Sequence, residues 1–480
     1  MKKTWVFLFS SVFLAGCLPI RQNQPKQAEE MAPPQWTTKI EFQKDLSEGN
    51  ETFWIDSFEN RQLSKAVREA LSKNPDVLGT MERVIAAGEN AVASGADVYP
   101  SFHADLSGTR SKRNLIGFNF PNGDSSFTSK SFNSGINVSW EIDLWGKRRD
   151  IRNLSEKRFE ATKEELEAAR LSLAGQVAKA WFERIENEGQ IRLAQETAKT
   201  YSQTQSFIEN RFEKGLRLGL GGQASALDNH LANSSLHSAN ANLSLRKRIL
   251  TITLKRLDVL QGSYPGAASA DQNGTRVLPS LDLITQPPTP SQVLAQRPDV
   301  KASALEIQAS GLELGVSQKN LLPSFAIAGG PGSRSEEFNN LLDQKFRVWE
   351  VSGAISQPIF QGGRLRAQVR KSKALQQSAI QNFKATALRA FAEVENALSA
   401  ERFMQAEEAH LKQAALAAKT AADLTWDRYQ RGVEGIFNTL EAQRRSFEAE
   451  SRLLALKKER LHNRIDLYLA LGMKALSPQP

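Results

Sequence analysis

Cysteine is almost absent: Cys17 is the only one in 480 residues. No disulfide framework is possible with a single thiol, so packing alone must hold the fold. Histidine is scarce as well. His103, His230, His237, His410 and His462 are scattered, and His230 and His237, which share a helix face, lack the i, i+4 spacing and third ligand of a zinc site. Neither Gly219-Leu220-Gly221-Gly222 nor Gly329-Gly330-Pro331-Gly332 is followed by the Lys-Ser/Thr of a phosphate loop. These gaps remove the usual catalytic constellations, so no enzymatic activity and no cofactor or metal is expected. A spanning apolar run is missing too. The apolar stretch from Trp5 to Leu14 is too short to cross a bilayer and, behind Lys2 and Lys3, reads as a secretory leader.

That leader closes on Leu14-Ala15-Gly16-Cys17, which resembles a bacterial lipobox. The reading implies cleavage before Cys17 and acylation of the new terminus, hence a membrane anchor. Leu18 follows it in place of the aspartate associated with inner-membrane retention, which favours the outer membrane. The formal charge of +9 falls to about +7 without Lys2 and Lys3. It is spread over helices that also carry many carboxylates, so a solvated surface is expected and nucleic-acid binding is not. Mean hydropathy is −0.42, and Ala, Leu, Gln, Glu, Lys and Arg crowd residues 147–212 and 363–430. Long water-exposed helices fit this composition better than a thick core.

The chain also repeats itself. Asn74-Pro75-Asp76-Val77 returns as Arg297-Pro298-Asp299-Val300, and Tyr99-Pro100-Ser101-Phe102 as Leu322-Pro323-Ser324-Phe325, both offset by 223 positions (297 − 74 and 322 − 99). Arg211-Phe212-Glu213-Lys214-Gly215 pairs similarly with Arg428-Tyr429-Gln430-Arg431-Gly432, and Leu260-Gln261-Gly262 with Ala470-Leu471-Gly472. A period this long marks a duplicated half-protein and not a solenoid.

Each half begins with helical spacing, broken at Pro75 in the first, and leads to a proline that ends the helix. Strict alternation then predicts strands over about 100–107 and 131–144, and again over about 323–329 and 347–360. Phe102, Ala104 and Leu106, then Phe132, Ile136, Val138, Trp140, Ile142 and Leu144, share an apolar face; His103, Asp105, Asn133, Asn137, Ser139 and Glu141 face away. Four strands with one greasy face cannot close a barrel, which needs about eight. Either they pack on a soluble partner or several copies pool them. Aromatics near the helix-side strand ends, Tyr99, Phe102, Trp140, Trp145, Phe325 and Phe360, suit an interfacial girdle.

After each hairpin, Gly146 or Gly362-Gly363 opens a very long helix. Phe159, Leu166, Leu173 and Ala180 recur every seven residues, and Leu375, Ala379, Phe383, Ala387, Phe391, Val394 and Leu398 step by four or three. About 65 residues of helix would run about 100 Å. The seams break at Gly215 to Gly222 and at Gly432 to Gly435 before antiparallel partner helices. The expected organisation is a signal peptide over 1–16, a lipidated segment over 17–60, one repeat over 61–262, a Pro/Gly/Ser-rich linker over 263–290, a second repeat over 291–472, and a tail over 473–480.

Helix, hairpin and long helical hairpin, twice over behind a lipobox, resemble the outer-membrane efflux channels of the TolC and OprM type, lipoprotein branch. The most specific likeness is Arg428-Tyr429-Gln430-Arg431-Gly432-Val433 followed by Leu440-Glu441-Ala442-Gln443-Arg444, matching that family's second periplasmic turn. The resemblance implies a mostly helical fold with a membrane β-barrel part: a homotrimer with a twelve-stranded barrel and a twelve-helix periplasmic tunnel. It also implies a periplasmic adaptor and an inner-membrane transporter as partners in an efflux pump for drugs or other small molecules. On matching positions, Tyr429, Phe437, Glu441 and Arg444 would line or lock the periplasmic gate. A carboxylate ring would favour cations, although Glu441 and Arg444 also fit a plain i, i+3 surface pair. Asn438 is neutral where the family often has an acidic or polar residue. The turns carrying Gly215, Gly219, Gly221 and Gly222, and Gly432 and Gly435, are the expected adaptor contacts, the first being longer. A channel for secreted proteins and a non-pore lipid-anchored coiled coil remain the alternatives.

Overall fold

The computed structural model describes residues 32–38, 53–114, 126–218, 225–266, 277–284 and 287–476. Cys17 and the leader lie outside them. In order, the elements are α1 (Arg61–Lys73), α2 (Pro75–Ala96), β1 (Ser101–Asn114), β2 (Ser126–Ile142), α3 (Lys147–Leu218), α4 (Ala226–Leu260), α5 (Pro290–Gln296), α6 (Pro298–Lys319), β3 (Ser324–Ser335), β4 (Arg347–Ser356), α7 (Arg364–Gln430) and α8 (Ile436–Ala470). The chain divides into two compact units, one containing Val84–Lys163 and Ala302–Phe383, the other Gln27–Arg83, Glu164–Lys301 and Lys384–Pro480.

The first unit holds the four strands in one antiparallel sheet, ordered β1-β2-β3-β4. Register places paired residues on one face: Phe102 opposite Val138, Val138 opposite Gly329, and Gly329 opposite Val351. Trp140 with Ile327, and Ile142 with Phe325 and Ile355, extend that face. The opposite face is polar; Asn137 donates to Asp105 at 2.5 Å and Arg334 to Asn133 at 2.7 Å. Most of the apolar face is uncovered among the described residues: Phe102 is 68% exposed and Val351 and Ile355 are 72% exposed, while at one end the Phe338 ring meets Phe132 at 5.8 Å.

Strand ends differ from the alternation pattern. β1 and β2 run on through polar residues to Asn114 and from Ser126, because hairpin pairing is set by backbone hydrogen bonds and needs no apolar side chain. β3 continues to Ser335 through its glycines, and β4 stops at Ser356, short of Pro358. The β2–β3 ladder skips Ile136 and Asn137 opposite Pro331 and Gly330, where Pro331 has no N–H to donate. Gly330 allows the strands to close there, since a Cβ on it would sit 1.8 Å from the Ile136 carbonyl oxygen.

Strand gives way to helix through a compact corner. Gly146 takes a φ of +73°, and Asp143 accepts from the Arg148 and Arg149 amides at 2.9 and 3.0 Å, capping α3. The Trp145 indole donates to the Pro323 carbonyl at 2.7 Å, tying the two hairpins together.

The second unit is a helical core. Leu398, Leu461, Ile465 and Leu467 are fully buried, as are Val177, Ala180 and Phe182. The expected heptad seam of α3 is therefore core at Leu166, Leu173, Val177 and Ala180, whereas Leu375 on α7 is 46% exposed within the chain. Helices α3 and α7 have 72 and 67 residues, close to the length the seams predict. The segment before α1 packs here as well: Trp54 stacks on Tyr468 with centroids 6.0 Å apart, and Phe58 meets Phe182 at 5.0 Å.

The twice-written Pro-Asp-Val motif closes a junction in each half. Asn74 accepts from the Asp76 and Val77 amides, capping α2, and its side-chain amide donates to the Leu260 carbonyl at 2.9 Å. Arg297 occupies the corresponding place and donates to the Ala470 carbonyl at 2.9 Å. Both carbonyls belong to helix ends turned by a left-handed glycine, Gly262 (φ +71°) and Gly472 (φ +70°). A Cβ on Gly262 would lie 2.4 Å from the Lys73 carbonyl oxygen, so this position requires glycine.

Candidate gate at the second helical turn

Helix α7 ends and α8 begins within residues 431–435. The Gly432 amide donates to the Tyr429 carbonyl (3.0 Å) and the Val433 amide to the Arg428 carbonyl (3.1 Å). With Gly432 at φ +77°, this is the paired-bond helix stop that glycine favours. Gly435 has extended backbone at the N-cap of α8.

Tyr429 lies behind this turn and is only 5% exposed. Its ring packs against Phe207 (6.0 Å) and Trp426 (5.9 Å), in a cluster with Tyr201, Ile208, Ile436 and Leu440. The Arg211 guanidinium stands over the Phe207 and Tyr429 rings at 5.2 and 5.8 Å and donates to the Tyr429 carbonyl at 3.2 Å. Burial, reinforced by the Asp228 carboxylate, raises the Tyr429 phenol above its ordinary range. Tyr429 thus braces the turn through the helices α3, α4, α7 and α8. Phe437 is different: it stands 66% exposed on the first turn of α8.

Glu441 and Arg444 meet on α8 with N···O at 2.8 Å, and Arg445 reaches the same carboxylate at 2.7 Å. Arg444 also bridges to Glu448. Hydrogen bonds from Arg444 and then Arg445 bring the Glu441 pKa down to about 2. Every partner lies on one helix at i, i+3 or i, i+4, which is the plain surface arrangement foreseen from spacing. Asn438 donates to Glu434 at 2.7 Å, and Glu434 lies 3.4 Å from Arg428, so a charge stands beside the neutral Asn438 on the turn itself.

At the first turn, α3 continues through Gly215 to Leu218, so the helix does not break at that glycine as expected. Glycine costs a helix only about 1 kcal/mol, too little to stop one without a second signal. Gly219, Gly221 and Gly222 lie outside the described residues. The partner helix α4 starts with a capping box in which Ser225 accepts from the Asp228 amide at 3.2 Å and Asp228 from the Ser225 amide at 2.8 Å.

The sequence reading missed a buried charge network on α7 and α8. Arg460 donates to Glu401 at 2.7 Å and to Glu408, and Arg464 donates to Glu401 at 3.3 Å and to the Asp282 carbonyl at 2.9 Å. All four residues are at most 8% exposed. Despite desolvation, the bonds from Lys412 and Arg460 hold Glu408 below the usual carboxylate range. A signal existed in the spacing: across a helical hairpin, residues equidistant from the turn meet. Glu401 lies 31 residues before Gly432 and Arg464 lies 32 after it (432 − 401 and 464 − 432).

Among the described residues no cluster suits a metal, and no helix is long and apolar enough to cross a membrane. The family model for "Outer membrane efflux protein" matches residues 66–263 and 289–473. The chain belongs to that family. This outer membrane efflux protein is 27% identical over 423 residues to the cation efflux system protein CusC of Escherichia coli O6:H1, covering 87% of each chain. It is 25% identical over 477 residues to the probable outer membrane lipoprotein SilC of Salmonella typhimurium, covering 98% of this chain and 99% of SilC. In fold it is similar to the outer-membrane channel OprN, with a TM-score of 0.83 at 23% identity over 92% of this chain and 97% of OprN. The outer membrane is accordingly the location of this efflux protein, and the family is one of the TolC and OprM type.

Proposed function

We propose that this chain is the outer-membrane channel of a tripartite efflux pump, working as a homotrimer with a periplasmic adaptor and an inner-membrane transporter. The observation that carries the reading is the four-stranded sheet, largely apolar and exposed on one face, with both edge strands unpaired among the described residues. Open edges are not tolerated in lipid. Three copies supply twelve strands, an even number that closes with antiparallel joins throughout. Dimensions support this: the apolar face of β2 runs from Phe132 to Ile142, about 34 Å of strand and about 24 Å of height at a ~45° tilt. Beyond it the same face turns basic at Arg110, Lys112, Lys130 and Arg347.

The cargo is small molecules or ions taken from the transporter; the name of CusC supports the ionic end of that range. Acylation at Cys17 is part of the reading, supported by the lipobox and by the likeness to SilC along nearly the whole chain. In the gate, Phe437 and the Glu441–Arg444–Glu448 network supply the exposed ring, and Tyr429 holds the turn in place. The second turn, Gly432 to Gly435, and the segment joining α3 to α4 receive the adaptor.

Purified in detergent, the full chain should migrate as a heat-modifiable trimer and give stepwise ionic conductance in planar bilayers. A monomer that does not conduct overturns the channel reading and leaves a lipid-anchored coiled coil. Trimeric conductance with loss of a secreted protein, and no drug or metal sensitivity, on deletion would move the cargo to protein.

A further inference from the structure

From residue 351 to 392 the chain contains no aspartate or glutamate, yet it carries Arg364, Arg366, Arg370, Lys371, Lys373, Lys384 and Arg389. Five of these fall within the first ten residues of α7, directly after β4, and all five are exposed. Arg366, Arg370 and Lys373 have no ion-pair partner among the described residues. This differs from the start of α3 on the neighbouring hairpin, where Lys147, Arg148 and Arg149 pair with Glu141, Asp97 and Asp143. A solvated helix face is normally mixed in sign; an uncompensated run of one sign awaits a counter-charge.

The faces of the helices say where it points. Helix α7 touches α6 through Ser372, 2.8 Å from Ser317, and through Gln376, beside Gly311. At about 100° per residue, Arg370 lies about 140° round the helix from that contact, with Arg366 and Lys373 one turn to either side. Helix α2 carries an answering face. It packs on α3 through Gly88 against the Phe159 ring, Ser94 against Ser155 at 2.9 Å, and Gly95 against Arg152. Glu89 lies about 150° away from that packed side by the same arithmetic. It is exposed, has no ion-pair partner among the described residues, and is flanked by Ile85 and Val92, which are 52% and 68% exposed.

The open sheet edges decide which molecule brings these faces together. Helix α2 leads into edge strand β1, and the other edge strand β4 leads into α7. Joining the free edge of β4 to β1 of a second copy continues the antiparallel ladder, and it sets α7 of one copy beside α2 of the next. Heights agree: Glu89 lies seven residues before the end of α2 and Arg370 six residues into α7, so both stand about 10 Å from their helix ends at the sheet.

We infer that α7 of one copy docks on α2 of a second copy of this chain through a charged seam. In it Arg370, flanked by Arg366 and Lys373, pairs with Glu89 between the apolar side chains of Ile85 and Val92. The inference rests on the trimer reading above and adds the residues that select the neighbour. Attraction between opposite faces, together with repulsion between two α7 faces, fixes the order of helices round the ring.

The full chain carrying Glu89→Cys and Arg370→Cys, oxidised in detergent, should give covalent dimers and trimers on non-reducing gels. Neither single variant should do so, both controls retaining Cys17. A trimer by native mass without that ladder overturns the seam and leaves the trimer reading standing, whereas absence of any trimer overturns both. Glu89→Arg alone should lower the temperature at which the trimer dissociates in detergent, and Arg370→Glu with Lys373→Glu should restore it in the same chain. An unchanged dissociation temperature in Glu89→Arg would overturn the electrostatic pairing even where the cysteines cross-link.

Discussion

The two units invert the usual rule of soluble proteins in opposite directions. The sheet unit displays Phe102, Val351 and Ile355 on its surface, while the helical unit buries Glu401, Glu408, Arg460 and Arg464. The difference lies in what covers each surface. An exposed apolar face is stable when lipid is the solvent, so the sheet needs no second layer of protein. A buried ion network is stable only when every charge meets its opposite, so the helices must hold one register along their length. In one unit side-chain polarity answers the surroundings; in the other it answers the rest of the chain.

The most damaging way to break this comparison is to unbalance the buried network. Arg460→Met leaves Glu401 and Glu408 with too few partners in the core, and should destabilise the protein by about 3 kcal/mol or more. Denaturant titration of the full chain in detergent reads that loss. Replacing Glu401, Glu408, Arg460 and Arg464 together by apolar residues of similar volume should recover most of it. If Arg460→Met alone proves as stable as the parent, the network is not a register lock.

The sheet offers the converse test. Val351→Lys puts a charge near the middle of the apolar band and should cost about 2 kcal/mol or more, read as reduced folding into lipid vesicles. Ser352→Lys, one residue on and facing the other way, should fold nearly normally. Equal effects at the two positions would show that the faces do not differ in solvent.

This asymmetry also governs how much could be read beforehand. Alternation over Phe132–Ile142 disclosed the sheet and its two faces because period-two contacts are local in sequence. The strand ends were not legible, since backbone pairing in β1 and β2 outlasts the apolar pattern, and Pro331 interrupts the ladder without ending β3. The long helices followed from their seams. Arg460 did not stand out, because its partners lie 52 and 59 residues away and each looks like an ordinary surface charge. At the turn, motif likeness singled out Tyr429 and Phe437 together. It could not separate a residue held under aromatic packing from one left in the open, because that depends on Phe207 and Trp426 more than on the motif.

The exposed network at Glu441 is a smaller perturbation than either, since nothing there is buried. Glu441→Ala should leave folding unchanged while raising resting conductance or lowering cation preference in planar bilayers. Arg444 would then be freed to pair with Glu448 alone. Identical conductance and selectivity would reduce the network to a surface ornament of α8 and return the gate to Phe437.

The smallest expected effect separates the two charge environments by pH. His462 lies with its Nε2 3.1 Å from the Lys179 carbonyl, facing Lys179 from α3 and Lys458 and Glu459 from its own helix. Burial first, then Lys458, lowers its pKa from the ordinary 6.5. A lowered folded value means that the unfolded chain takes up the proton first, so stability present above about pH 6.5 declines as the pH falls toward the folded value. Glu441 is also lowered, to about 2, so its contribution is complete above the ordinary carboxylate range and is lost progressively as the pH falls from that range through about 2. The His462 part of the stability slope between pH 7 and 5 should therefore be missing in His462→Gln, which can still donate to the Lys179 carbonyl. Over the same interval channel conductance should show no titration assignable to Glu441. A pH-dependent conductance removed by Glu441→Gln would mean that Glu441 has lost its arginines in the assembled channel.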